Sequence, residues 1–278
     1  MEKTALIVEG GAMRGVFSCG ILDSFLQHSF TPFDLCIGVS AGANNLSGYI
    51  SGMYQRNYKI YIDYSLRKEF ISKRRFLLGG DLLNLDWLWD ITLREMPLDE
   101  AMVMQHPSAY LIGITRADTG IVEFHSSNGS NLAELLKASS AVPLLYRNTV
   151  RLNGFEYVDG GIGEPIPVQE AVQRGATNIM VLRSRPADFR METGKKHRIT
   201  AAALRHYPRL VEVIKRRADR YNATIDYIRN PPAGISITEI NPPDGFAIGR
   251  LTTDKSVLDQ NYADGRQVGD RIVREWQG

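Results

Sequence analysis

The sequence has little cysteine, little net charge and no long hydrophobic run. Its two cysteines, Cys19 and Cys36, both stand in apolar segments, which indicates buried small hydrophobic residues rather than a disulfide or a metal site. The formal net charge of +2 is too small to predict nucleic-acid binding. No stretch approaches the ~20 consecutive apolar residues of a membrane span, and the amino-terminal apolar run is too short for a signal-peptide core. These absences predict a soluble, cytoplasmic protein.

The chain alternates strands and helices in the order typical of a parallel sheet. Apolar runs over residues 4–9 and 33–37 predict two buried strands. Each run is followed by a segment of helical character, residues 15–27 after the first and residues 41–49 after the second. This order predicts an α/β fold in which helices cover both faces of a parallel sheet.

The composition changes in the last third of the chain. Residues 184–199 are polar and include proline, glycine and a basic cluster, so they predict an exposed linker. A long helix over residues 209–228 and a closing helix over residues 256–276 are predicted next, with a strand over residues 235–240 between them. We expect residues 184–278 to form a mainly helical C-terminal region, and the sequence does not indicate its role.

The most informative motif is Gly38-Val39-Ser40-Ala41-Gly42, directly behind the second apolar run. A serine between two glycines, where a strand turns at once into a helix, is typical of a nucleophile exposed at the end of a strand. A side chain at Gly38 or Gly42 would collide with the neighbouring strand or helix. The following helix directs its positive amino-terminal end at the serine. The motif therefore predicts Ser40 as the nucleophile of an acyl-transfer reaction.

Three interpretations compete for the loop after the first strand, Gly10-Gly11-Ala12-Met13-Arg14-Gly15. A phosphate-binding P-loop requires Gly-Lys-Ser/Thr at its end, where this chain has apolar residues. A dinucleotide-binding loop requires a glycine where Ala12 stands and an acidic residue at the end of the second strand, which is absent. The third interpretation is an oxyanion hole, in which the N–H groups of Gly11 and Ala12, with that of Met13 as a further candidate, converge beside the serine.

The serine also needs a base, and the histidines are poorly placed for that role. In α/β-hydrolase order the histidine follows the acid, and only His197 and His206 do so, both in surface-like contexts. His125, at the end of a predicted strand, is the best of the earlier imidazoles. Asp159 ends a strand before Gly160-Gly161, and burial would raise its pKa and make it a stronger base. The residues favour a Ser–Asp dyad and leave a Ser-His-Asp triad as the alternative.

The glycine-rich loop, the serine turn and the turn Asp159-Gly160-Gly161, in this order, resemble the patatin-like phospholipase family. The segment Lys137-Ala138-Ser139-Ser140-Ala141-Val142-Pro143 resembles the family as well. The resemblance covers about residues 4–183 and implies a patatin-like domain there, a three-layer α/β/α sandwich with a mostly parallel central sheet. Residues 184–278 fall outside it. Ala12 stands where many members have a third glycine, but it keeps the N–H group.

By the same resemblance, Ser40 is the nucleophile and Asp159 is its base. The oxyanion hole is then the backbone of Gly10, Gly11 and Ala12. The family hydrolyses acyl esters of lipids through an acyl-enzyme, without a metal or other cofactor. We therefore expect a serine acyl hydrolase of the phospholipase A, lysophospholipase or esterase type, whose partner is a lipid ester rather than a nucleic acid.

Three further side chains are candidates for contact with the substrate. Trp87 and Trp89 belong to an apolar segment with little periodicity, which predicts either a wall for the acyl chain or a plain core helix. Arg14 is placed either to orient a phosphate or carboxylate or to pack at the start of a helix. A basic face on the predicted long helix is either solvated or in contact with anionic lipids at the inner membrane surface. It comprises Lys215, Arg216, Arg217 and Arg220.

Two alternatives come from other functional classes. The loop over residues 10–15 allows a nucleotide-binding regulatory protein, which would bind nucleotide tightly and escape labelling by a fluorophosphonate. A catalytically silent scaffold would use residues 184–278 to bind its partners, but the intact motifs argue against it.

Overall fold

The computed structural model of the chain describes residues 2–194, 199–200, 202 and 204–277. Within these residues, eight strands form one sheet in the order β5-β6-β3-β2-β1-β7-β8, and β4 pairs with β3 beside this path. The strands are β1 Thr4–Val8, β2 Leu35–Val39, β3 Ala109–Arg116, β4 Val122–His125, β5 Val150–Leu152, β6 Phe155–Asp159, β7 Asn178–Leu182 and β8 Ser236–Ile240.

The middle of the sheet is parallel and one side of it is antiparallel. Strands β2 and β7 flank β1, β3 follows β2, and β8 follows β7, all in parallel. Beyond this block, β3 pairs antiparallel with β4 and β6, and β6 with β5. The residues of β2 are all buried, as the continuous apolar runs predict for a covered parallel sheet. The expected mostly parallel central sheet is confirmed.

Helices cover both faces of the sheet. They are α1 Val16–Gln27, α2 Ala41–Ile50, α3 Arg56–Ile62, α4 Lys73–Leu77, α5 Leu85–Glu95, α6 Glu100–Gln105, α7 Leu132–Ser140, α8 Gly160–Gly163, α9 Val168–Gln173, α10 Pro208–Lys215, α11 Arg217–Arg229 and α12 Lys255–Gln277. None of the helices described here is long and apolar enough to cross a membrane.

The side chains of β1 alternate between two hydrophobic cores. Leu6 and Val8 pack in the larger core, to which α1, α2, α7 and α12 contribute. Ala5 and Ile7 belong to the opposite core, to which α9 and α11 contribute. Because successive residues of a strand point to opposite faces, this alternation places helices on both sides of the sheet. The three-layer α/β/α arrangement expected from the resemblance is confirmed.

The C-terminal region is mainly helical, and it also completes the sheet. Strand β8 extends the sheet beyond β7 with a five-residue parallel register. Helix α12 lies against α1, and glycines let the two backbones approach closely. A Cβ on Gly265 would overlap the carbonyl oxygen of Phe17, and one on Gly20 would overlap that of Tyr262. The region therefore shares its core with the rest of the molecule.

Two expectations for this region are wrong in detail. The predicted helix over residues 209–228 is broken at Arg216 into α10 and α11. Arg217 then turns inward, and its Nε donates a hydrogen bond to the carbonyl oxygen of Gly161 (2.7 Å). Arg220 likewise donates to backbone carbonyls, so the predicted basic face is not one solvated surface.

The predicted linker over residues 184–199 begins inside the molecule. Ser184 is buried, and its hydroxyl donates to the carbonyl oxygen of Gly10 (2.9 Å). The start of the segment is therefore part of the loop packing at the sheet edge and is not exposed, contrary to the expectation. Its basic cluster, Lys195, Lys196 and His197, lies outside the described residues.

Candidate active site

Ser40 occupies a sharp turn between β2 and α2. Its backbone has φ 54° and ψ −129°, a conformation that costs a non-glycine residue of order 1–3 kcal/mol. A Cβ at Gly38 would stand 2.6 Å from the backbone nitrogen of Ala43, and one at Gly42 would overlap the carbonyl oxygen of Val8. Both flanking glycines are thus required by close backbone packing, as the sequence predicts. The turn holds the Ser40 side chain at the amino-terminal end of α2, where the helix dipole is positive.

The glycine-rich loop lies beside this serine. A Cβ built on Gly10 would come within 2.9 Å of the Cβ of Ser40, and Ala12 lines the same cavity as Ser40. Ala12 has φ 51°, so its alanine pays a strain that a glycine would avoid. The N–H groups of Gly10, Gly11 and Ala12 donate no hydrogen bond to any residue that the structure describes. Free main-chain donors next to a hydroxyl are the elements of an oxyanion hole.

Asp159 ends β6 and caps the short helix α8. Its Oδ1 accepts a hydrogen bond from the N–H of Gly161 (2.8 Å), and its own N–H donates to the carbonyl oxygen of Ala141 (3.0 Å). Oδ2 is buried and meets no described donor with full hydrogen-bond geometry. Gly160 is required because a Cβ there would overlap the carbonyl oxygen of Gly113.

Although Ser40 and Asp159 are far apart in sequence, the structure brings their side chains together. Burial raises the pKa of the Asp159 carboxyl above its usual value, and the nearby hydroxyl of Ser40 partly opposes this rise. The positive charge of Arg217 and the hydrogen bond from the N–H of Gly161 also oppose the rise. Ser40 is 8% exposed and Asp159 6% exposed, so a poorly hydrated carboxyl stands beside the hydroxyl.

Ser139, on α7, holds the serine turn in place. The N–H of Ser40 donates to Oγ of Ser139 (2.7 Å), and that hydroxyl donates in turn to the carbonyl oxygen of Gly113 in β3 (2.7 Å). Asn44 adds a second tie, because its Nδ2 donates to the carbonyl oxygen of Ser40 (3.0 Å) and to Oγ of Ser140 (2.9 Å). The sequence marked the segment containing Ser139 as family-like but assigned these hydroxyls no role.

No described histidine approaches the serine. His125 contacts Glu123 (3.0 Å) at the end of β4, and His28 contacts Asp270 (3.2 Å) on the outside of the molecule. His206 is exposed, and no described histidine lines the cavity at Ser40. His197 lies outside the described residues.

The order of motifs and the fold agree with one protein family. A family model for patatin-like phospholipases matches residues 6–172. This chain belongs to the patatin-like phospholipase family. The resemblance drawn from its motifs is confirmed. A second model, for a domain of unknown function called DUF6363, matches residues 207–278.

Known relatives span bacteria and yeasts. The uncharacterized protein YjjU of Escherichia coli is 34% identical over 272 residues, which cover 96% of this chain and 76% of YjjU. Lysophospholipase NTE1 of Scheffersomyces stipitis is 22% identical over 295 residues, which cover 99% of this chain but 18% of the yeast protein. Among solved structures, VipD of Legionella pneumophila aligns with 13% identity and a TM-score of 0.41, covering 96% of this chain and 67% of VipD.

The patatin-like protein has an apolar cavity that opens from Ser40. Its wall includes Trp89 together with Leu85 and Leu88 of the same helix, α5. The indole Nε1 of Trp89 donates to the carbonyl oxygen of Ala133 (2.6 Å), which fixes the ring against α7. Trp87 does not line this cavity and packs in the apolar cluster next to it. The segment is therefore a core helix, and one of its faces forms the cavity wall.

Arg14 is buried behind the glycine-rich loop of the patatin-like protein. It is 3% exposed, and its Nε donates to the carbonyl oxygen of Ser184 (3.0 Å). Burial, together with the positive charges of Arg185 and Arg250, lowers its pKa to about 9. The contact with Ser184 ties the loop to the end of β7. Arg250, which the sequence did not single out, lines the cavity with Ser40.

Proposed function

We propose that this patatin-like protein is a serine acyl hydrolase that cleaves carboxylic ester bonds of lipids through a Ser40–Asp159 dyad. The observation that supports it best is the buried carboxyl of Asp159 beside the Ser40 hydroxyl, with Oδ2 left without a well-aligned donor. A carboxylate oxygen in a dry site forms a strong hydrogen bond to a hydroxyl, and it can accept the hydroxyl proton.

In the proposed mechanism, Oγ of Ser40 attacks the ester carbonyl carbon while its proton passes to Asp159. The carbonyl oxygen becomes an anion, and the N–H groups of Gly10, Gly11 and Ala12 stabilise it by hydrogen bonds. The tetrahedral intermediate then collapses, the C–O bond to the alcohol breaks, and Asp159 returns the proton to the leaving alcohol. This step leaves an acyl group on Ser40.

Water completes the cycle. It attacks the acyl carbon and gives a proton to Asp159, and the second tetrahedral intermediate releases the fatty acid as Ser40 recovers that proton. The apolar cavity that includes Trp89 and Leu88 is suited to hold the acyl chain during both steps. A lipid acyl ester is therefore the proposed substrate class, and the name of the yeast lysophospholipase agrees with it.

The dyad is tested by single substitutions in the full-length chain. Ser40→Ala and Asp159→Asn should each lower kcat/KM for a fatty-acyl ester by at least about 10³-fold while circular dichroism stays native. A fluorophosphonate should label the wild type at Ser40 and leave Ser40→Ala unlabelled. Single His→Ala variants at all five histidines are the controls, and each should stay within about twofold of the wild type.

Other outcomes of this experiment point to the alternatives. A histidine variant as inactive as Ser40→Ala would replace the dyad with a triad. Tight nucleotide binding by a wild type that resists the fluorophosphonate would instead support the nucleotide-binding interpretation of residues 10–15.

We further propose that the tip of α4 brings the enzyme to a lipid surface. Leu77 and Leu78 are 84% and 78% exposed, and the preceding Lys73 and Arg74 are exposed cations. Two exposed leucines beside two cations suit insertion among anionic headgroups. The same segment follows Ile71, a residue of the cavity wall, so lipid held at this tip would lie near the route to Ser40.

Vesicle experiments test this contact. Replacing both leucines, Leu77→Ser with Leu78→Ser, should lower co-sedimentation with phosphatidylglycerol vesicles about tenfold or more and leave hydrolysis of a water-soluble short ester unchanged. Ile121→Ser is the matched control, because Ile121 is also strongly exposed (61%) but lies on the turn between β3 and β4. Equal losses in the double variant and the control would contradict a specific contact at α4.

A further inference from the structure

The C-terminal region packs directly against the strand and the turn that carry Asp159. Leu210 and Ile214 of α10 are both buried at this contact. They share one apolar cluster with Val158, which precedes Asp159 in β6, and with Ile162, which follows it in α8. Because β6 and α8 both rest on this cluster, the C-terminal region helps to fix the position of the carboxyl between them.

Arg217, the first residue of α11, contacts the turn that follows Asp159. Its Nε donates a hydrogen bond to the carbonyl oxygen of Gly161 (2.7 Å). The N–H of the same glycine donates to Oδ1 of Asp159 (2.8 Å). Gly161 therefore accepts from the arginine with its carbonyl group and holds the carboxyl with its amide, so that one residue joins the two charged groups.

The guanidinium of Arg217 and the carboxyl of Asp159 also lie near one another in space. A Cβ built on Gly161 would stand 3.0 Å from Oδ1 of Asp159 and 3.9 Å from Nη2 of Arg217. Of the two cations that favour the ionised carboxyl, Arg217 acts more strongly than Arg250. The neutral groups that favour it are the Ser40 hydroxyl and the N–H of Gly161.

Arg217 is placed to act on the proposed base and not on a bound substrate. It is absent from the wall of the cavity at Ser40. Its Nη1 donates to the sulfur of Met191 (3.2 Å), so the side chain is held by two neutral acceptors. Within the described part of the chain, no carboxylate forms an ion pair with Arg217. Its positive charge is therefore left to act on Asp159.

The side chain of Arg217 remains a cation at neutral pH. Burial, and next the positive charge of Arg250, lower its pKa to about 10. Besides Asp159, the groups that favour the charged form are Glu9 and the hydroxyl of Tyr221. Both of these are already bonded to the buried Arg183, at 3.1 Å and 2.8 Å.

A second carboxyl follows the same turn and has different neighbours. Glu164 comes directly after α8, where burial and then the negative charge of Glu170 raise its pKa to about 7. The positive charge of Arg220, one turn further along α11, opposes this rise. Asp159 is not among the groups that act on Glu164, so we expect the two carboxyls to titrate independently.

We propose that Arg217 is a positioning residue for the catalytic base, which holds the turn after Asp159 and keeps that carboxyl ionised beside Ser40. This role rests on the proposed function, in which Asp159 accepts the hydroxyl proton. A cation next to a buried carboxyl favours the ionised form, and only that form can accept a proton. The contact with Gly161 in turn fixes the amide that orients Oδ1.

This role gives the C-terminal region a part in catalysis. Arg217 lies within residues 207–278, the segment matched by the domain of unknown function. Ser40 and Asp159 both lie within the patatin-like match. The break at Arg216 between α10 and α11 places Arg217 where the chain passes the turn after Asp159. The first part of the chain thus supplies the reacting groups, and the second part supplies the cation that supports the base.

The pH dependence of hydrolysis tests this role in the full-length chain. Arg217→Gln should move the acid limb of kcat/KM for a fatty-acyl ester upward by about one pH unit, and so lower kcat/KM about tenfold on that limb. Arg217→Lys should return the limb toward its wild-type position, because it restores the positive charge. A role in packing alone would lower kcat/KM by the same factor at every pH and leave the limb in place.

Two control variants remove neighbouring charges. Arg216→Gln takes the same charge from the exposed residue directly before Arg217. Glu164→Gln removes the other carboxyl that titrates near neutral pH. Both should leave the acid limb in place. The role would be overturned if Arg217→Gln failed to move the limb, or if either control moved it as far.

Stability measurements link Arg217 to Asp159 without any substrate. Arg217→Gln should lower the free energy of unfolding more near neutral pH than in acid, because only the ionised carboxyl gains from the cation. In an Asp159→Asn background, the effect of Arg217→Gln should no longer depend on pH. If Arg217→Gln alone does not fold near neutral pH, Asp159→Asn should restore its folding. Equal losses in both backgrounds at every pH, or no such rescue, would overturn the coupling.

Failure of this role can be distinguished from failure of the hydrolase. If the wild type cleaves the ester and reacts with a fluorophosphonate, an unmoved acid limb in Arg217→Gln overturns the role while the dyad stands. If the wild type cleaves no ester and resists the fluorophosphonate, the proposed function fails and the stability comparison decides alone. A pH-dependent coupling that disappears with Asp159→Asn would still support Arg217 as the group that keeps the carboxyl ionised, and its absence would overturn that.

Discussion

At the scale of single residues, the site is built from groups that cost stability. Ser40 has a positive φ, Ala12 has another beside it, and Asp159 is a carboxyl almost removed from water. Each feature suits the proposed chemistry, because it exposes the hydroxyl, frees N–H groups and strengthens the base. Substitutions at these positions should therefore separate activity from stability.

The pH dependence of stability should reveal the cost of burying Asp159. The folded-state pKa of Asp159 is raised. Its contribution to the free energy of unfolding is therefore fully present below the unfolded-state pKa, where the carboxyl is protonated in both states. That contribution is lost as pH rises through the folded-state pKa. Asp159→Asn cannot ionise, so it should match the wild type in acid and unfold at higher urea concentration near neutral pH. Activity should change in the opposite sense, since the proposed base works only when ionised.

Urea unfolding of both proteins across a pH series measures this difference. Ser40→Ala serves as the control, because it removes activity but keeps the ionisable carboxyl. If Asp159→Asn and the wild type lost stability in parallel as pH rose, burial would not be raising the pKa of this carboxyl.

At the scale of secondary-structure elements, glycines decide which segments can touch. Gly38 and Gly42 allow α2 to pack against β2 and β1, and Gly160 allows α8 to begin against β3. Gly20 and Gly265 do the same for α1 and α12, which join the two ends of the chain. In each place a Cβ would meet backbone rather than a movable side chain.

The contact between α1 and α12 gives a sharp test. Gly265→Val should lower the free energy of unfolding by about 3 kcal/mol, because its side chain would overlap the carbonyl oxygen of Phe17 and push the helices apart. Gln267→Val places the same side chain on an exposed position of α12 and should cost less than about 0.5 kcal/mol. Chemical denaturation measures both. Similar small effects would mean that the two helices do not pack closely in solution.

At the scale of the whole molecule, a buried ionic network joins the parts of the chain. Arg183 is fully buried at the end of β7, where it pairs with Glu9 after β1 and with Glu239 in β8. Its Nη2 also donates to the hydroxyl of Tyr221 in α11 (2.8 Å). The network thus spans the patatin-like match and the C-terminal match.

Loss of this arginine should destabilise the molecule as a unit. Arg183→Met leaves the carboxylate of Glu9 buried without its cation, and it should lower the free energy of unfolding by about 3–5 kcal/mol. Arg174→Met removes an exposed pair with Glu170 four residues away, and it should cost less than about 0.5 kcal/mol. Urea denaturation followed at two wavelengths provides the values. A second transition, with the C-terminal region unfolding first, would contradict this coupling.

Local features of the site could be predicted because they depend on neighbours in sequence. The turn around Ser40, the loop over residues 10–15 and the turn after Asp159 each carry their glycines within a few residues. The alternation of buried strands and helices is likewise a pattern of adjacent side chains, so the sandwich and its mostly parallel sheet followed from it and from the family resemblance.

Features that depend on distant parts of the chain could not be predicted. No glycine or proline marks the break at Arg216. Arg217 turns inward because the carbonyl oxygen of Gly161 accepts a hydrogen bond from its Nε. Ser184 looks like the start of a linker, yet packing beside Gly10 buries it.

The sequence by itself determined the turn around Ser40, the fold class and the family, because spacing and hydrophobic period are local properties. Only the tertiary structure decided that the carboxyl of Asp159 lies beside Ser40 and that Arg250 lines the same cavity as Ser40. The physical reason is that charges and hydrogen-bond partners act through space, and the folding of the chain sets those distances.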